Sequence, residues 1–295
     1  MKCVVTGGAG FIGGHLVDSL IAEGCSVIVI DDESATENST FYWNKKAENY
    51  KVDICNYEKI EHLFSGVNVI FHLAAESRIQ HAIKDPKRTI NVNLYGTINI
   101  LEASRKHHVK KIIYSSTSAY YGLKNNPPHV ETMSRDCLNP YSVTKVAGED
   151  MIRMYTDLYD MDAIIFRYFN VYGERQPTKG QYAPVVGLFQ KMKKEGKKLT
   201  VVGDGLARRD YTYVKDVIEA NILAMRSNID GCEVFNIGTG KNYSVLDLAD
   251  MIGGDIEHIS PRKGEAKETL ANISEAENKL GWKPKMNLKK WVSHN

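Results

Sequence analysis

The sequence predicts an α/β protein with a doubly wound parallel sheet. Short β-branched runs alternate with helical patterns through roughly the first 170 residues, as expected for parallel strands joined by crossover helices. The first of these runs leads directly into a glycine-rich turn and then into a helical pattern. With 295 residues, 43% of them hydrophobic, the chain can bury a sizeable core without disulfide bonds.

The predicted elements divide the chain into two parts. Five runs are predicted to form buried strands: "KCVVT", "SVIVID", "VNVIFHLAA", "KKIIYSST" and "AIIFRYFNVYG". Helical patterns such as "GGHLVDSLIAEG" and "NLYGTINILEASRKHH" lie between them. After residue 173 the pattern loosens, so we predict a first domain over residues 1–173 and a smaller domain over residues 174–295. The segment over about 213–240, which contains "EVFNIGTG", is expected to pack back onto the first sheet.

Charge and cysteine usage exclude several classes of protein. The chain has 38 Lys and Arg against 36 Asp and Glu, a formal charge of +2, which favours neither a nucleic-acid partner nor a membrane surface. No segment approaches the roughly 18 apolar residues of a membrane span. The five cysteines are odd in number, widely scattered and without the spacing of metal ligands. We therefore expect reduced thiols, no metal site and a cytoplasmic protein.

The glycine-rich turn "TGGAGFIGGHL" predicts a dinucleotide site. Gly7, Gly10 and Gly13 have the spacing that lets a backbone turn tightly and approach a pyrophosphate at the start of a helix. Asp31 lies 18 residues beyond Gly13, where a carboxylate can accept hydrogen bonds from ribose hydroxyls and repel a 2′-phosphate, so NAD is favoured over NADP. Asp53 in "KVDI" follows the next strand and either holds the adenine edge or only caps a turn.

The segment "NPYSVTKVAGED" predicts the start of a helix that carries two chemically useful side chains. Asn139 is a favourable N-cap, and Pro140 is a favourable first helical residue. Tyr141 and Lys145 are then four residues apart and share one helix face. A phenol is a poor base at neutral pH, but a nearby ammonium and a positively charged nicotinamide are expected to lower the pKa of Tyr141 toward the working range.

Eight motifs together resemble one enzyme family. They are "TGGAGFIG", "FHLAAES", "YSSTSAYYG", "YSVTK", "RYFNVYG", "RRDYTYVKDV", "FNIGTG" and "LGWKP". In their order and spacing, from residue 2 to about 291, the chain resembles the extended short-chain dehydrogenase/reductase family of nucleotide-sugar epimerases and dehydratases. The resemblance implies a Rossmann-type sheet with a smaller C-terminal substrate-binding domain, NAD as cofactor and a nucleotide-sugar substrate, with a UDP-sugar favoured. It also implies a homodimer, formed through helices around residues 93–107 and 141–158; the alternative is that the apolar faces of these helices belong to the ordinary core.

The resemblance further implies which residues form the site. The catalytic residues are Thr117, Tyr141 and Lys145. The cofactor-binding residues are Gly7, Gly10, Phe11, Ile12, Gly13, Asp31, Asp53, Ile54, Leu73, Ala74, Ala75, Asn93, Tyr141, Lys145 and Tyr168. The substrate-binding residues are Thr117, Asn170, Arg209, Arg262, Glu265 and Thr269. Members of the family usually continue past "LGWKP" into a closing helix, whereas this sequence ends with "MNLKKWVSHN".

The stretch "YSSTSAYYG" separates the reactions that this family catalyses. Thr117 matches the hydroxyl that bridges the 4-hydroxyl of the sugar and the tyrosine, whereas Ser115 and Ser116 are expected to be structural. In the 4,6-dehydratases the two positions after this threonine are acids that eliminate water. Here they are Ser118 and Ala119, so chemistry at C5 and C6 lacks its acid. The neighbouring "LAAESRIQHAI" resembles the dehydratases, but it cannot replace that acid.

We therefore predict NAD-dependent epimerisation of a UDP-hexose at C4 through a transient 4-keto sugar. The resemblance assigns Arg209 and Arg262 to the pyrophosphate and Glu265 to the nucleotide ribose. Thr269 falls where hexose 4-epimerases limit bulk at C2 of the sugar, and so small a residue should admit UDP-GlcNAc and UDP-GalNAc beside UDP-Glc and UDP-Gal. Three alternatives remain: a 4,6-dehydratase or other C5/C6-acting enzyme, a nucleotide-sugar reductase, and a non-catalytic NAD-sensing regulator.

Overall fold

The computed structural model describes residues 1–294 as strands and helices that mostly alternate along the chain. The strands are β1 (Lys2–Thr6), β2 (Ser26–Asp31), β3 (Glu48–Lys51), β4 (Val69–His72), β5 (Lys111–Thr117), β6 (Asp162–Tyr168), β7 (Val171–Tyr172), β8 (Leu199–Val202), β9 (Arg208–Asp210), β10 (Thr212–Tyr213), β11 (Cys232–Ile237), β12 (Asn242–Ser244) and β13 (Ile256–Ile259). The helices are α1 (Phe11–Ala22), α2 (Tyr57–Ile60), α3 (Ile79–Lys84), α4 (Pro86–Ile90), α5 (Gly96–Lys106), α6 (Pro140–Tyr159), α7 (Val185–Lys194), α8 (Val214–Arg226), α9 (Val245–Ile252), α10 (Ser274–Leu280) and α11 (Leu288–His294). A π-helical turn over Asn91–Tyr95 joins α4 to α5.

Seven of these strands form one parallel sheet in the order β11-β6-β5-β4-β1-β2-β3. The order reverses at β1, which pairs with β2 on one side and with β4 on the other. This arrangement confirms the predicted Rossmann-type, doubly wound α/β fold. In such sheets a ligand binds beyond the carboxyl ends of the strands, at the point where the order reverses.

Helices cover both faces of the sheet because its strands are apolar on both sides. Val5 of β1 belongs to the core that contains α1 and α8, whereas the adjacent Val4 belongs to the core that contains α5 and α6. Successive strand residues point to opposite faces, so a continuous apolar run such as "KCVVT" can supply both cores. The sheet is thereby held rigidly between two helical layers, and its carboxyl edge is left free for a site.

The part of the chain after residue 173 has its own apolar core. This core joins side chains of α7, β8, α9 and α11, and β8 pairs with β13 outside the large sheet. Two elements of this part return to the large sheet, since β11 pairs with β6 and α8 packs against α1. The division into domains at residue 173 stays a prediction.

Helix α6 begins where the sequence predicts. The Asn139 side chain accepts a hydrogen bond from the backbone N–H of Ser142 at 2.8 Å, and Pro140 is the first helical residue. Ser142 Oγ lies 3.3 Å from the backbone nitrogen of Asn139, which completes a capping box. The helix start, and with it the direction of the Tyr141 side chain, is therefore set by local hydrogen bonds.

A closing helix follows "LGWKP" after all. Helix α11 is short, but its Leu288, Trp291 and Val292 are buried in the second core. The segment before it is held by Asp216 of α8, whose carboxylate accepts hydrogen bonds from the backbone N–H groups of Lys285 and Met286. An apolar i, i+3, i+4 pattern within a short segment is enough to form this helix once a core exists to receive it.

Candidate active site

A cavity of about 480 Å³ lies at the carboxyl edge of the large sheet and contains nearly all of the predicted site residues. Its floor comes from the segments that follow β1, β2, β4, β5 and β6, and its roof comes from the loops around residues 177–184 and 262–269. The predicted residues that line it are Gly7, Gly10, Phe11, Ile12, Gly13, Asp31, Asp53, Ile54, Leu73, Ala74, Ala75, Thr117, Tyr141, Lys145, Tyr168, Asn170, Arg209, Arg262, Glu265 and Thr269.

Asn93 is the one predicted residue that does not line the cavity. Its side chain is 1% exposed and lies behind the wall. There it accepts a hydrogen bond from the backbone N–H of Glu76 at 2.7 Å and donates to the carbonyl oxygen of Glu76 and to Thr144 Oγ1, each at 3.0 Å. The expectation that Asn93 faces the cofactor is corrected accordingly: Asn93 holds the wall segment against α6.

The glycines at the start of α1 are required by close backbone contacts. Gly7 has a φ of +68°, and a Cβ at this position would lie 2.8 Å from the backbone nitrogen of Ala74. A Cβ on Gly13 would collide with the carbonyl oxygen of Gly7. Gly10 is the N-cap of α1, so the free N–H groups of the first helical turn point toward the cavity. This bare backbone beside a helix N-terminus fits the pyrophosphate of a dinucleotide.

Two aspartates lie at the far end of the cavity from α6. Asp31 accepts hydrogen bonds from the backbone N–H groups of Ala9 at 3.1 Å and Glu33 at 2.8 Å, one on each carboxylate oxygen, and burial raises the pKa of Asp31. Each oxygen keeps a second lone pair for a ribose hydroxyl. Asp53 lines the cavity and also caps a turn, since its Oδ1 accepts a hydrogen bond from the Cys55 N–H at 2.8 Å. The donor and acceptor groups present therefore fit NAD.

Thr117 and Tyr141 meet at the other end of the cavity. Thr117 Oγ1 accepts a hydrogen bond from the backbone N–H of Ala119 at 3.1 Å. Burial raises the pKa of Tyr141, while a hydrogen bond with Thr117 and the charge of Arg78 act in the opposite direction. The expected lowering of this pKa is therefore not a property of the protein chain alone, because desolvation of the phenolate outweighs both groups. The sequence pattern does not indicate that Arg78 lines the cavity, although its motif "LAAESRIQHAI" resembles the dehydratases.

Lys145 is buried under the sheet edge, and its ammonium lies over an aromatic ring. Its Nζ is 4.0 Å from the centre of the Tyr114 ring. Burial lowers the pKa of Lys145 to about 7, and the carboxylate of Glu149 opposes that shift. Burial also lowers the pKa of nearby His72 to about 3, so this imidazole is neutral and adds no positive charge. Lys145 is thus a cation whose charge is easily lost, one helical turn from Tyr141.

The two serines before Thr117 are held by buried partners. Ser115 Oγ lies 3.3 Å from the hydroxyl of Tyr168, and Ser116 Oγ hydrogen-bonds to Glu149. Glu149 in turn forms a bidentate pair with Arg167, in which Nε and Nη2 donate at 3.1 Å and 2.8 Å. This network ties β5 to α6 and so fixes the positions of the threonine and tyrosine relative to each other. The i, i+4, i+8 spacing of tyrosine, lysine and glutamate places Glu149 on the helix face of Tyr141 and Lys145, but the sequence does not reveal its partners on β5 and β6.

No carboxylate of residues 1–294 lines the cavity beside Thr117. The carboxylates in its wall are Asp31, Asp32 and Asp53 at the far end, and Glu265 in the roof. Position 119 is an alanine, and the Glu76 side chain accepts a hydrogen bond from Arg88 Nε at 2.9 Å outside the cavity wall. The Tyr141 hydroxyl can therefore exchange a proton with a ligand in the cavity. Within residues 1–294, no carboxylic acid lies beside it to act on C5 or C6 of a sugar.

The roof of the cavity carries two arginines that share one glutamate. Arg209 Nη2 lies 3.7 Å from one oxygen of Glu265, and Arg262 Nη1 lies 4.0 Å from the other. Backbone carbonyl oxygens hold both guanidinium groups: Arg209 Nη1 donates to those of Arg208 at 2.9 Å and Lys267 at 3.2 Å, and Arg262 Nη2 donates to that of Gln181 at 2.7 Å. The ion pairs with Glu265 are long, so N–H donors remain for a diphosphate. In the adjoining wall, Asn170 Nδ2 donates to Thr269 Oγ1 at 3.3 Å.

Two further features of the described chain bear on its chemistry. Within residues 1–294, no three His, Cys, Asp or Glu side chains are grouped as metal ligands. No helix in that range is both long enough and apolar enough to span a bilayer.

Comparison with known proteins agrees with this geometry. Residues 3–238 match the model of the NAD dependent epimerase/dehydratase family. The chain is 34% identical to the UDP-glucose 4-epimerase of Mycolicibacterium smegmatis, over 99% of this chain and 96% of the relative. It is 31% identical to the UDP-glucuronate 4-epimerase of Thermodesulfobacterium geofontis, over 97% of this chain and 92% of the relative.

A solved structure extends the comparison to three dimensions. The crystal structure of UDP-glucose 4-epimerase from Thermotoga maritima with UDP-glucose superposes with a TM-score of 0.93 at 37% identity, covering 99% of this chain and 96% of that one. The match to the family model spans the glycine turn, Thr117 and the Tyr141–Lys145 pair. On this evidence the chain belongs to the NAD dependent epimerase/dehydratase family.

Proposed function

We propose that the protein is an NAD-dependent nucleotide-sugar 4-epimerase that acts on UDP-hexoses. The observation that carries the proposal is the meeting of Thr117 and Tyr141 at one end of a cavity whose other end fits NAD, with no carboxylate beside the threonine. UDP-glucose and UDP-galactose are the favoured pair. Relatives that carry the name UDP-glucose 4-epimerase and match over nearly the whole chain support this choice.

In the proposed mechanism, Tyr141 removes the proton from the 4-hydroxyl of the sugar. Thr117 bridges that hydroxyl and the phenol, and Lys145 supplies positive charge from the same helix face. NAD, held by the glycine turn and Asp31, would supply reversible hydride transfer at C4, so that the hydride could return to the opposite face of the 4-keto sugar. Tyr141 then returns the proton to the 4-oxygen, so the reaction has no net redox change.

The mechanism requires that the nucleotide stay bound while the sugar turns over. Arg209 and Arg262 are proposed to hold the diphosphate, and Glu265 to hold the ribose. These residues belong to the part after residue 173, which we propose as the nucleotide-sugar domain over 174–295, while residues 1–173 hold NAD. Asn170 and Thr269 would contact the sugar from the wall between them.

Two of the alternative functions agree less well with the residues that line the cavity in the described chain. A 4,6-dehydratase needs an acid next to Thr117, where Ser118 and Ala119 stand. A regulator without catalysis would not need Thr117, Tyr141 and Lys145 together. The epimerase is therefore the function that gives Thr117, Tyr141 and Lys145 a role without requiring an acid beside the threonine.

Proton NMR of the sugar anomeric signals tests the proposal. Purified protein is mixed with UDP-glucose in the absence of any reductant, and UDP-galactose is expected to appear until equilibrium is reached. A Tyr141→Phe variant should be inactive, because the general base is missing, with a loss of at least about 100-fold. A 4-keto-6-deoxy product would replace the epimerase by the dehydratase, and an unchanged spectrum with wild-type protein would contradict both.

We also propose a homodimer and a cytoplasmic location. Exposed apolar side chains on α6 and on the segment before α5 support the dimer, among them Leu158 at 62% and Tyr95 at 49% exposed. Five free cysteines support a reducing compartment. Cell fractionation with antibody detection would test the location.

A further inference from the structure

Arg78 is a cation in the cavity wall that binds no part of the substrate in the proposed mechanism. It is the N-cap residue of α3, in the segment that follows β4, and its side chain lines the cavity. Its Nε is buried and has no hydrogen-bond partner. Among residues 1–294, no carboxylate pairs with its guanidinium as a salt bridge. A buried guanidinium donor without an acceptor is costly, and a bound ligand is one way to satisfy it.

The charged groups that face Arg78 are Glu37, Glu76 and Tyr141. The first two already have partners of their own. Glu37 Oε1 lies 3.1 Å from His81 Nε2, and Glu76 accepts a hydrogen bond from Arg88 Nε at 2.9 Å. The remaining neighbour is Tyr141, which in the proposed mechanism takes the proton from the 4-hydroxyl of the sugar. Within residues 1–294, Arg78 therefore has no salt-bridge partner and shares the cavity wall with the proposed general base.

The phosphates of the two nucleotides have other binding groups. The backbone N–H groups around Gly10 and the N-terminus of α1 fit the pyrophosphate of NAD. Arg209 and Arg262 in the roof, linked through Glu265, fit the diphosphate of the substrate. This leaves the sugar as the part of the substrate that can bring an anion to Arg78. On a hexose ring, C6 is joined to C5, the direct neighbour of C4, and oxidation of C6 produces a carboxylate.

We propose that Arg78 is a specificity-determining residue that binds the C6 carboxylate of a nucleoside-diphosphate hexuronic acid. The proposal rests on the proposed 4-epimerase function and extends its substrates from neutral hexoses to hexuronates. Arginine suits this role because two of its N–H groups can donate in parallel to one carboxylate. Neutral sugars would bind without using the charge of Arg78.

The test compares UDP-glucuronic acid with UDP-glucose as substrates of the same preparations, with initial rates followed by NMR. The wild-type protein is expected to epimerise both. Because the charge of Arg78 also opposes the rise in the pKa of Tyr141, the measure is the ratio between the two sugars: Arg78→Gln should lower kcat/KM for UDP-glucuronic acid by at least about 30-fold more than kcat/KM for UDP-glucose. Arg78→Lys should recover part of the activity on the acidic sugar. Arg226→Gln, which removes an arginine paired with Glu23 on the surface, controls for net charge and should affect neither sugar.

The outcomes separate this proposal from the proposed function. Equal losses on both sugars in Arg78→Gln, or loss of bound NAD measured by absorbance after denaturation, would overturn the specificity role. Turnover of UDP-glucose alone by the wild type would overturn it too and leave the 4-epimerase intact. If neither sugar turned over, the proposed function would fail. Calorimetry would then still test the role of Arg78 in binding. The wild type must bind UDP-glucuronic acid more tightly than UDP-glucose, and Arg78→Gln must lose this preference.

Discussion

At the scale of single residues, the site depends on side chains whose charge is suppressed by burial. Lys145 and Tyr141 are both shifted toward their neutral forms, since burial lowers the pKa of the first to about 7 and raises the pKa of the second. Arg78 and the hydrogen bond from Thr117 oppose the shift on the tyrosine. Without ligands, the protein therefore disfavours the ionised form of Tyr141. In the proposed mechanism, bound ligands must supply the remaining stabilisation of the phenolate.

The buried ammonium of Lys145 predicts a specific effect of pH on stability. An unfolded lysine titrates near about 10.4, so between pH 7 and about 10 the unfolded chain binds a proton that the folded protein does not. Stability of the wild type should therefore rise with pH across this window, and below pH 7 the folded protein carries the full cost of the buried charge. Lys145→Met should be more stable than wild type by roughly 1 to 4 kcal/mol at pH 6, and less so at pH 9. Urea unfolding of the NAD-free wild type and Lys145→Met at pH 6 and pH 9 measures this difference in stability. A difference between the two proteins that does not shrink as the pH rises would contradict the prediction.

Thr269 predicts which sugars the cavity accepts. It lines the cavity, is 6% exposed, and its Oγ1 accepts hydrogen bonds from Asn170 Nδ2 at 3.3 Å and from the Asp210 N–H at 3.4 Å. Thr269→Tyr adds a ring where the N-acetyl group of UDP-GlcNAc is expected, so kcat/KM for that sugar should fall by more than about tenfold while UDP-glucose is retained. Thr269→Ser keeps the hydroxyl and should leave both sugars as substrates. Unchanged turnover of UDP-GlcNAc by Thr269→Tyr would show that position 269 does not limit bulk at C2 of the sugar.

At the scale of elements, β5 and α6 form the part of the fold that carries the chemistry. The bidentate Glu149–Arg167 pair between α6 and β6 is almost fully buried, with side chains 2% and 1% exposed, and Glu149 also holds Ser116 of β5. The Arg167 guanidinium in addition stacks 3.3 Å above the ring centre of Tyr120. Three elements therefore meet at one carboxylate, next to Ser116 and directly before Thr117 on β5.

Removal of the Glu149 carboxylate should lower the free energy of unfolding far more than removal of a surface charge does. Glu149→Gln leaves a buried guanidinium without its counter-ion, and we expect a loss of about 3 to 5 kcal/mol in the free energy of unfolding. Arg135→Gln breaks an exposed pair with Asp150 at 2.6 Å and should change stability by about 1 kcal/mol or less. Denaturant unfolding of the two variants at pH 7 measures both effects. Equal stabilities would mean that the buried pair is not needed to hold β5 against α6.

The elements that could be predicted from sequence are those with a local physical cause. The start of α6 follows from Asn139 and Pro140, and the turn before α1 follows from glycines that no larger residue could replace. The contacts of Asn93, Glu149 and Arg78 could not be predicted in this way, because their partners are distant in sequence. Asn93 reaches Thr144 across 51 positions, and only the folded chain brings the two together.

At the scale of the whole molecule, the site is built from both halves of the chain. The sheet supplies the floor with Thr117 and the glycine turn, whereas the loops near residues 177–184 and 262–269 supply the roof. Backbone and side-chain contacts join the two, among them the hydrogen bond from Asn139 Nδ2 to the Gly264 carbonyl oxygen at 2.8 Å. The N-cap of α6 thus also holds the roof loop that carries Arg262 and Glu265.

The outer surface of α6 predicts how two copies assemble. Val143, Met154 and Leu158 are exposed apolar residues of this helix, on the side away from the sheet. Exposed apolar side chains on one helix face suit an isologous interface for the proposed dimer, in which the same face meets its copy about a two-fold axis. Leu158→Glu should therefore convert a dimer into a monomer, because the interface would bury two like charges.

Light scattering after gel filtration measures that change against a matched control. Leu206→Glu introduces the same charge at a residue that is 63% exposed, compared with 62% for Leu158, but lies in the connection between β8 and β9. It should leave the dimer intact, so any difference between the variants comes from position and not from charge. If both variants and the wild type have the mass of a single chain, the exposed face of α6 has another role. Loss of the dimer in both variants would mean that net charge, and not this face, controls assembly.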